Sequence, residues 1–135
     1  MHFLQAKLEA GANQIITQYC YDTDTLLHFA EQAQKAGIKA PILMGIMPIH
    51  DIAAVQRFSA RCGAGVPQQL VERFAAYDQP QDITQLGIEV AYEQCQRLLE
   101  NGFDQFHFYT LNRSLLTAGV LNALQVPKPS LALTA

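Results

Sequence analysis

Residues 41–49, Pro-Ile-Leu-Met-Gly-Ile-Met-Pro-Ile, form an almost continuously apolar run. A strand with one solvent-facing side alternates apolar and polar residues, whereas a run of this kind indicates a strand covered on both faces. Such strands belong to parallel sheets, in which helices connect one strand to the next and cover the sheet. The run therefore predicts an α/β fold. Gly45 within it indicates a close approach by a backbone or a ligand.

Two further segments have the composition of strands. Residues 15–21 are rich in β-branched and aromatic side chains, and the third strand is expected at residues 106–111. The spacing of apolar residues predicts the order helix-β-α-β-α-α-α-β-α. A turn is expected at residues 78–82, before a long helix over about residues 83–101. A last helix over about residues 114–125 is expected to end at the prolines at 127 and 129, before a loose tail.

The alternation of strands and helices predicts one domain spanning residues 1–135. A parallel sheet of three strands has two open edges and one poorly covered face. The first predicted helix, moreover, has no strand before it. Three βα units preceded by the end of a helix are typical of the C-terminal part of a barrel of eight units. We therefore predict an α/β fold that is a partial (β/α)8 TIM barrel. It would comprise about the last three βα units, with extra helices between the second and third strands.

The composition excludes several classes of function. The chain has 135 residues, of which 50% are hydrophobic and 16% charged, and its net charge is −3 without a basic run. This gives no electrostatic basis for binding nucleic acid or an anionic membrane. The sequence contains neither an apolar run of ~20 residues nor the charged-then-apolar order of a signal peptide. Cys20, Cys62 and Cys95 suggest neither disulfides nor a CxxC site, so we expect a reducing, cytoplasmic setting.

Polar side chains gather where the predicted strands end. Gln18 lies late in the first strand, while Tyr109, Asn112 and Arg113 end the third strand just before a helix. Binding sites of α/β proteins form at the carboxyl ends of their strands, so these residues define a candidate site. An amide suits a heterocycle with a mixed hydrogen-bonding edge, and a guanidinium can bind a carboxylate or stack on a ring. Structural roles are the alternative: a buried amide satisfied by backbone, and a surface arginine beside a capping Asn112.

Other candidates fit structural roles better. His50 and Asp51 are interpreted as a loop residue and a helix N-cap rather than as a catalytic pair. Phe58 fits a core position unless its ring stacks on a planar ligand. Lys7 fits a solvated helix face, although it precedes a strand and could reach a phosphate. The sequence has no metal-ligand spacing and no glycine-rich phosphate loop.

Three motifs go further than these patterns. They are Ala-Gly-Ala-Asn-Gln-Ile-Ile-Thr-Gln at residues 10–18, Ala-Gly-Ile at 36–38 with the apolar run at 41–49, and His-Phe-Tyr-Thr-Leu-Asn-Arg at 107–113. In sequence, order and approximate spacing they resemble methylenetetrahydrofolate reductase, the flavin-dependent enzyme of the bacterial type. The resemblance runs from about Ala6 to Val126.

The resemblance implies a barrel that holds FAD. NADH or NADPH would reduce the flavin, which would then pass a hydride to 5,10-methylenetetrahydrofolate and give 5-methyltetrahydrofolate. Gln18 resembles the family's glutamine that binds the folate pterin and the nicotinamide in turn, and Phe58 the phenylalanine that stacks on the substrate. Tyr109 and Arg113 resemble residues at the folate end of the site. Lys7 resembles a lysine beside the FAD phosphates.

The resemblance also implies that part of the site lies elsewhere. The family's catalytic glutamate and most FAD contacts belong to the first half of the barrel, so no catalytic residue is assigned on this chain. Ala54 stands where some members carry a polar substrate contact. We expect the isolated chain to be inactive, to bind FAD weakly or not at all, and to need the N-terminal barrel half or self-association. One alternative is a non-catalytic half-barrel assembly module. Another, disfavoured by the motifs, is an unrelated small enzyme with its site at Tyr109 and Arg113.

Overall fold

The computed structural model describes residues 1–127, which form helices α1–α6 and strands β1–β3 in the predicted order. The expected effect of Pro129 and the loose tail at 130–135 lie outside these residues. The elements are α1 (His2–Glu9), β1 (Ile15–Ile16), α2 (Thr23–Lys35), β2 (Ile42–Ile46), α3 (Ile52–Cys62), α4 (Gln68–Ala75), α5 (Pro80–Glu100), β3 (Phe106–Phe108) and α6 (Ser114–Ala123).

The three strands form one parallel sheet with β2 in the centre, as the apolar run predicted. Ile15 and Ile16 of β1 lie opposite Ile42 and Leu43. On the other side of β2, the residues Met44 to Ile46 lie opposite Phe106 to Phe108. The mixed α/β architecture with parallel strands is therefore confirmed.

Several element boundaries differ from the predictions. The strands are shorter than the segments at 15–21, 41–49 and 106–111, because regular pairing stops where the chain turns into loops at the carboxyl end of the sheet. The turn predicted at residues 78–82 is wrong for its second half, since α5 already begins at Pro80. Proline suits a first helical position because its missing N–H would have no intrahelical partner there.

Helices α2, α5 and α6 cover one face of the sheet. Met44 and Ile46 of β2 are fully buried in this layer. Their helical neighbours in the cluster are Leu26, Ala30, Ala91, Cys95, Leu98 and Val120. These side chains follow the helical spacing of about 3.6 residues, so each helix turns one apolar stripe to the strands.

A second apolar cluster lies beyond the carboxyl end of β2. Met47 and Ile49, which follow the strand, pack there with Tyr19, Val55, Phe74 and Leu86. The cluster joins α3 and α4 to the start of α5. Its position explains why the apolar run continues past the strand: residues 47 and 49 are buried by helices and not by sheet pairing.

The sheet face opposite α2, α5 and α6 is less well covered. Ile16, which lies opposite Leu43, is 44% exposed, and both Leu43 and His107 are only half-buried. Strands β1 and β3 are the outer strands of the sheet. The expectation of two outer edges and one poorly covered face is therefore confirmed for the described residues. No helix within residues 1–127 is long and apolar enough to cross a membrane.

Gly87 allows α5 to pack directly on the loop after β2. A Cβ atom at this position would lie 1.9 Å from the carbonyl oxygen of Ile49 and 3.2 Å from Cδ2 of Leu116. The first neighbour is backbone and cannot move aside by rotating. The helix and the end of β2 are thus in contact only because residue 87 has no side chain.

We expect Gly87→Ala to lower the free energy of unfolding by about 2–3 kcal/mol, the upper part of the range for overpacking. Urea unfolding followed by circular dichroism measures this. Gly65→Ala is the matched control, because a Cβ atom there meets nothing within 4 Å; it should change stability by less than ~0.5 kcal/mol. Equal effects of the two substitutions would contradict the packing at Gly87.

Candidate functional site

The backbones of β1 and β2 come unusually close at Gly45. The Gly45 N–H donates to Thr17 Oγ1 at 2.8 Å, while the Thr17 N–H donates to the Leu43 carbonyl at 3.0 Å. A Cβ atom on Gly45 would lie 2.5 Å from the Thr17 carbonyl oxygen and 2.9 Å from the carbonyl carbon of Gln18. The close approach predicted from Gly45 is therefore real, and the group that approaches is the backbone that carries Gln18.

Tyr19 forms the centre of an aromatic cluster just after β1. Its side chain is 2% exposed, and its hydroxyl lies 3.0 Å from the hydroxyl of buried Ser59. Its ring is stacked with that of Phe58, with the ring centroids 6.0 Å apart and an interplanar angle of 21°. It meets the Tyr109 ring edge-on, with a centroid distance of 6.0 Å and an interplanar angle of 71°. Tyr21 adds a fourth ring, whose centroid lies 5.6 Å from that of Tyr19. The cluster therefore joins loops and helices that follow all three strands.

Tyr109 crosses the carboxyl end of the sheet. Its backbone N–H donates to the Ile46 carbonyl at 2.8 Å, which extends the pairing of β3 with β2. Its hydroxyl donates to the Thr17 carbonyl at 3.0 Å. The other side of the ring meets His107 edge-on at 4.7 Å. One side chain thus connects the last strand to the first across the central strand.

Gln18 lies beside this cluster with its side chain exposed. Its Oε1 accepts from the Tyr19 N–H at 3.1 Å, which fixes the orientation of the amide. The alternative of a buried glutamine is therefore wrong, although its oxygen does bond to backbone. The amide lies at the carboxyl end of the sheet, where it is accessible to a ligand.

Phe58 does not lie in the core, contrary to the expectation from its helical position. The buried face of α3 is formed by Val55 and Ser59, and Phe58 is 41% exposed. Its ring rests on Tyr19 and is partly open to solvent. A half-exposed ring held against a second ring can stack on a planar molecule.

Arg113 lies in a different cavity from Gln18. It occupies the N-cap position of α6, and the cavity of about 540 Å³ that it lines also contains His50, Asp51 and Tyr77. Asn112 is not the helix cap that the structural alternative required; it has a left-handed backbone conformation with φ 62°. The guanidinium is exposed near the positive end of α6, a position suited to an anionic group.

Lys7 lies on α1 beside the outer edge of β1. It lines a cavity of about 1000 Å³ together with Gln18 and apolar side chains such as Phe3 and Phe29. Lys7 itself is exposed. The structure thus places Phe58 and Tyr109 against the Tyr19 ring, with Gln18 just before Tyr19 on the chain. Lys7 lies in the cavity that Gln18 lines, and Arg113 lies in a separate cavity.

Several titratable groups have shifted pKa values. Burial, and then the charge of Arg113, lower the pKa of His50 below its ordinary value, so it is neutral at physiological pH. Burial raises the pKa of Cys95 to about 12 and also raises the pKa of Cys20, so neither is a thiolate. Asp51 caps α3 by accepting from the Ala54 N–H, as predicted. Residues 1–127 contain no group of three metal-ligating side chains.

Three residues of this arrangement were not singled out by the sequence: Thr17, Tyr19 and Ser59. The signal that could have found them is the alternation of Thr17, Tyr19 and Tyr21. Thr17 and Tyr19 are buried and Tyr21 half-buried, whereas Gln18 between them is exposed. The helical spacing of α3 left Phe58 or Ser59 as its buried position, but it did not indicate the bond of Ser59 to Tyr19, since that partner is forty residues away.

We expect Arg113→Gln to raise the pKa of His50 toward its ordinary value, because a nearby positive charge is removed. NMR titration of the His50 ring measures this, and Arg61→Gln on α3 is the control that should leave it unchanged. The folded-state pKa of His50 lies below its unfolded value. Its contribution to stability is therefore complete above the ordinary histidine pKa and is lost as the pH falls through the folded-state value. Arg113→Gln should bring the folded-state pKa of His50 closer to its unfolded value. The pH range over which this stability is lost should therefore become narrower. An unchanged His50 titration would contradict the proximity of the two side chains.

Comparison with known proteins identifies the family that this chain resembles. The family model described as methylenetetrahydrofolate reductase matches residues 1–125. The methylenetetrahydrofolate reductase (NADH) 1 of Zea mays is 36% identical over 123 residues, which cover 88% of this chain and 20% of that protein. The 5,10-methylenetetrahydrofolate reductases of Pectobacterium carotovorum and Escherichia coli are 32% and 31% identical, over 96% and 91% of this chain. The chain spans 43% and 42% of those two proteins.

A solved structure shares the fold. It is an uncharacterised protein from Clostridium thermocellum, described as binding two copies of 5-methyl-5,6,7,8-tetrahydrofolic acid. The TM-score is 0.56 at 17% identity, and the likeness covers 91% of this chain and 46% of that one. The motifs at 10–18, 36–49 and 107–113, the parallel sheet that they build, and the family match over residues 1–125 agree. The chain belongs to the methylenetetrahydrofolate reductase family.

Proposed function

We propose that this chain forms the folate-binding part of a flavin-dependent methylenetetrahydrofolate reductase, as the C-terminal portion of a (β/α)8 barrel. The complete enzyme would use NADH or NADPH to reduce 5,10-methylenetetrahydrofolate to 5-methyltetrahydrofolate in the cytoplasm, in one-carbon and methionine metabolism. The observation that carries the proposal is the position of Gln18, Phe58 and Tyr109 beyond the carboxyl ends of the strands, with the rings of Phe58 and Tyr109 both against Tyr19. Membership of the family supports it further.

These three side chains suit a planar heterocycle. An exposed amide oriented by the backbone can pair with the donors and acceptors on the edge of a pterin, and equally with the carboxamide of a nicotinamide. The Phe58 ring would cover one face of either molecule. Amides and rings select shape and edge pattern and not charge, so the same residues can serve two substrates in turn.

The remaining substrate contact is assigned to Arg113. The glutamate moiety of a folate carries carboxylates, and a guanidinium binds a carboxylate through two parallel hydrogen bonds. Arg113 lines its own cavity together with neutral His50, so the positive charge offered to the anion there is that of the guanidinium. The two cavities would thus receive different parts of one ligand.

The FAD that the family implies fits this chain in part. The cavity beside β1 is large and mostly apolar, and Lys7 is the cation on its wall, which suits a flavin dinucleotide whose phosphates lie near the lysine. When bound, the flavin supplies hydride transfer. This chain would supply Lys7 for the phosphates and Gln18 for the molecule lying over the ring. The catalytic glutamate and the other flavin contacts are assigned to the preceding part of the barrel.

The open edges of the sheet support the need for that part. Outer strands have unpaired backbone groups, which proteins pair with another strand, cover with a helix or loop, or protect with charged side chains. Closure of a barrel provides such a partner for both β1 and β3, and it would cover exposed Ile16 as well. We therefore propose that residues 1–135 act as one domain only when completed by the N-terminal half of the barrel or by a second copy.

A complementation experiment tests this assembly. We expect a mixture of this chain, FAD and a polypeptide holding the rest of the Escherichia coli relative to bind flavin and oxidise NADH or NADPH with methylenetetrahydrofolate present. The chain alone should retain little or no FAD through gel filtration. Absence of activity in the mixture, together with a stable self-associated chain, would instead favour the non-catalytic assembly module.

Substitutions of Phe58 and Arg113 test substrate binding. We expect Phe58→Ala and Arg113→Gln each to weaken the binding of 5-methyltetrahydrofolate on the order of tenfold, the scale of losing one stacking or one charge-assisted contact. Isothermal titration calorimetry measures the dissociation constants. Leu99→Ala is the control for Phe58→Ala, since Leu99 has a similar exposure of 39% but lies on α5 outside the site. Wild-type affinity in the Phe58 and Arg113 variants would contradict the proposal.

A further inference from the structure

Tyr19 touches the residues proposed to bind the substrate but is itself shielded from it. At 2% exposure, its ring cannot offer a ligand much surface. Its ring is stacked with Phe58 and meets Tyr109 edge-on, and its N–H holds the amide oxygen of Gln18. Phe58 and Tyr109, from different parts of the sequence, thus share the Tyr19 ring as a neighbour, whereas the bond from Gln18 is to the Tyr19 backbone.

We propose that Tyr19 is a positioning residue that sets the arrangement of Phe58 relative to Tyr109, and that the Tyr19–Ser59 hydrogen bond fixes it. The inference rests on the proposed function for the meaning of that arrangement, which is to bind a planar substrate. Neither Tyr19 nor Ser59 reaches the ligand. They act through the side chains that do.

The packing explains how one residue can have this effect. Phe58 is 41% exposed, so Tyr19 is the aromatic surface that limits its rotation on the protein side. The hydroxyl of Tyr19 is anchored to Ser59, which is 1% exposed and adjacent to Phe58 in sequence. Movement of the Tyr19 ring would therefore disturb the orientation of Phe58 and its edge contact with Tyr109.

Ser59 also anchors the cluster to a rigid element. It lies in the last half of α3, whose N-terminus is capped by Asp51 through the Ala54 N–H at 2.9 Å. Tyr109 is held separately by its bond to the Thr17 carbonyl. Tyr19 consequently lies between two fixed supports, one on α3 and one at the end of β1. A buried hydroxyl pair of this kind is costly to break from one side, because the remaining hydroxyl is left unpaired.

The test uses this chain, completed by the polypeptide that holds the rest of the Escherichia coli relative, with Tyr19→Phe, Ser59→Ala and the double substitution. We expect each single variant to weaken 5-methyltetrahydrofolate binding roughly twofold to tenfold, as for loss of one neutral hydrogen bond. The fold-loss of affinity in the double variant should be smaller than the product of the two single fold-losses, because both substitutions remove the same bond. NMR should show broader χ1 rotamer populations for Phe58 in all three, without ligand. Tyr92→Phe is the control; it removes a hydroxyl bonded to Gln96 on α5 and should change neither measurement.

The two readouts separate this proposal from the proposed function. If the wild-type chain does not bind 5-methyltetrahydrofolate even when completed in this way, the proposed function fails, and the Phe58 rotamer populations alone decide the positioning role. If Tyr19→Phe and Ser59→Ala lower only the melting temperature and leave both affinity and rotamers as in wild type, Tyr19 is merely a core residue and the proposal is overturned. Unchanged rotamers in Tyr19→Leu, where the ring is lost, would overturn it as well.

Discussion

Contact between the backbones of Thr17 and Gly45 sets the geometry at the carboxyl end of the sheet. With no Cβ at residue 45, the chain after β1 can lie against β2, and the Thr17 hydroxyl takes the N–H that regular pairing would have used. The Thr17 carbonyl is then free to accept from the Tyr109 hydroxyl. This pair of bonds ties the ends of all three strands together. It also places Gln18 and Tyr19, which follow Thr17, at the carboxyl end of the sheet.

Helix α5 packs against the sheet and against the loop at its carboxyl end. Helix α5 contributes to both apolar clusters, with Leu86 in the one beyond β2 and Ala91, Cys95 and Leu98 in the one under the strands. Its direct contact with the Ile49 carbonyl at Gly87 fixes the loop that leads to His50 and α3. The elements that carry Phe58, Ser59 and Arg113 are therefore positioned by one long helix.

The arrangement separates two kinds of recognition. Aromatic rings and an amide gather around Tyr19, whereas the guanidinium of Arg113 lies in another cavity beside a histidine whose pKa is lowered. A ligand with a flat polar head and an anionic tail matches this division, and a folate has both. The open edge of β1 lies next to the cavity that contains Lys7. A neighbour that completed the proposed barrel at this edge would therefore also complete the proposed cofactor site.

The sequence by itself determined the order of elements, the parallel sheet and the family. These depend on local patterns: the apolar run at 41–49, the helical spacing of apolar residues, and motifs that are contiguous in the chain. It also indicated Gly45 as a place of close approach and Asp51 as a cap, because both depend on properties of single residues. Strand ends were overestimated, since apolar residues such as Met47 and Ile49 are buried by helices and look the same in sequence as residues buried by strands.

Only the tertiary structure decided which side chains meet. The exposure of Phe58 depends on how α3 rotates to bury Val55 and Ser59, and helical spacing alone allowed either face. The roles of Tyr19 and Ser59 depend on a contact between residues forty positions apart, for which a single sequence carries no signal. Long-range contacts of this kind follow from the packing of whole elements, so they become defined only when the sheet and its helices assemble.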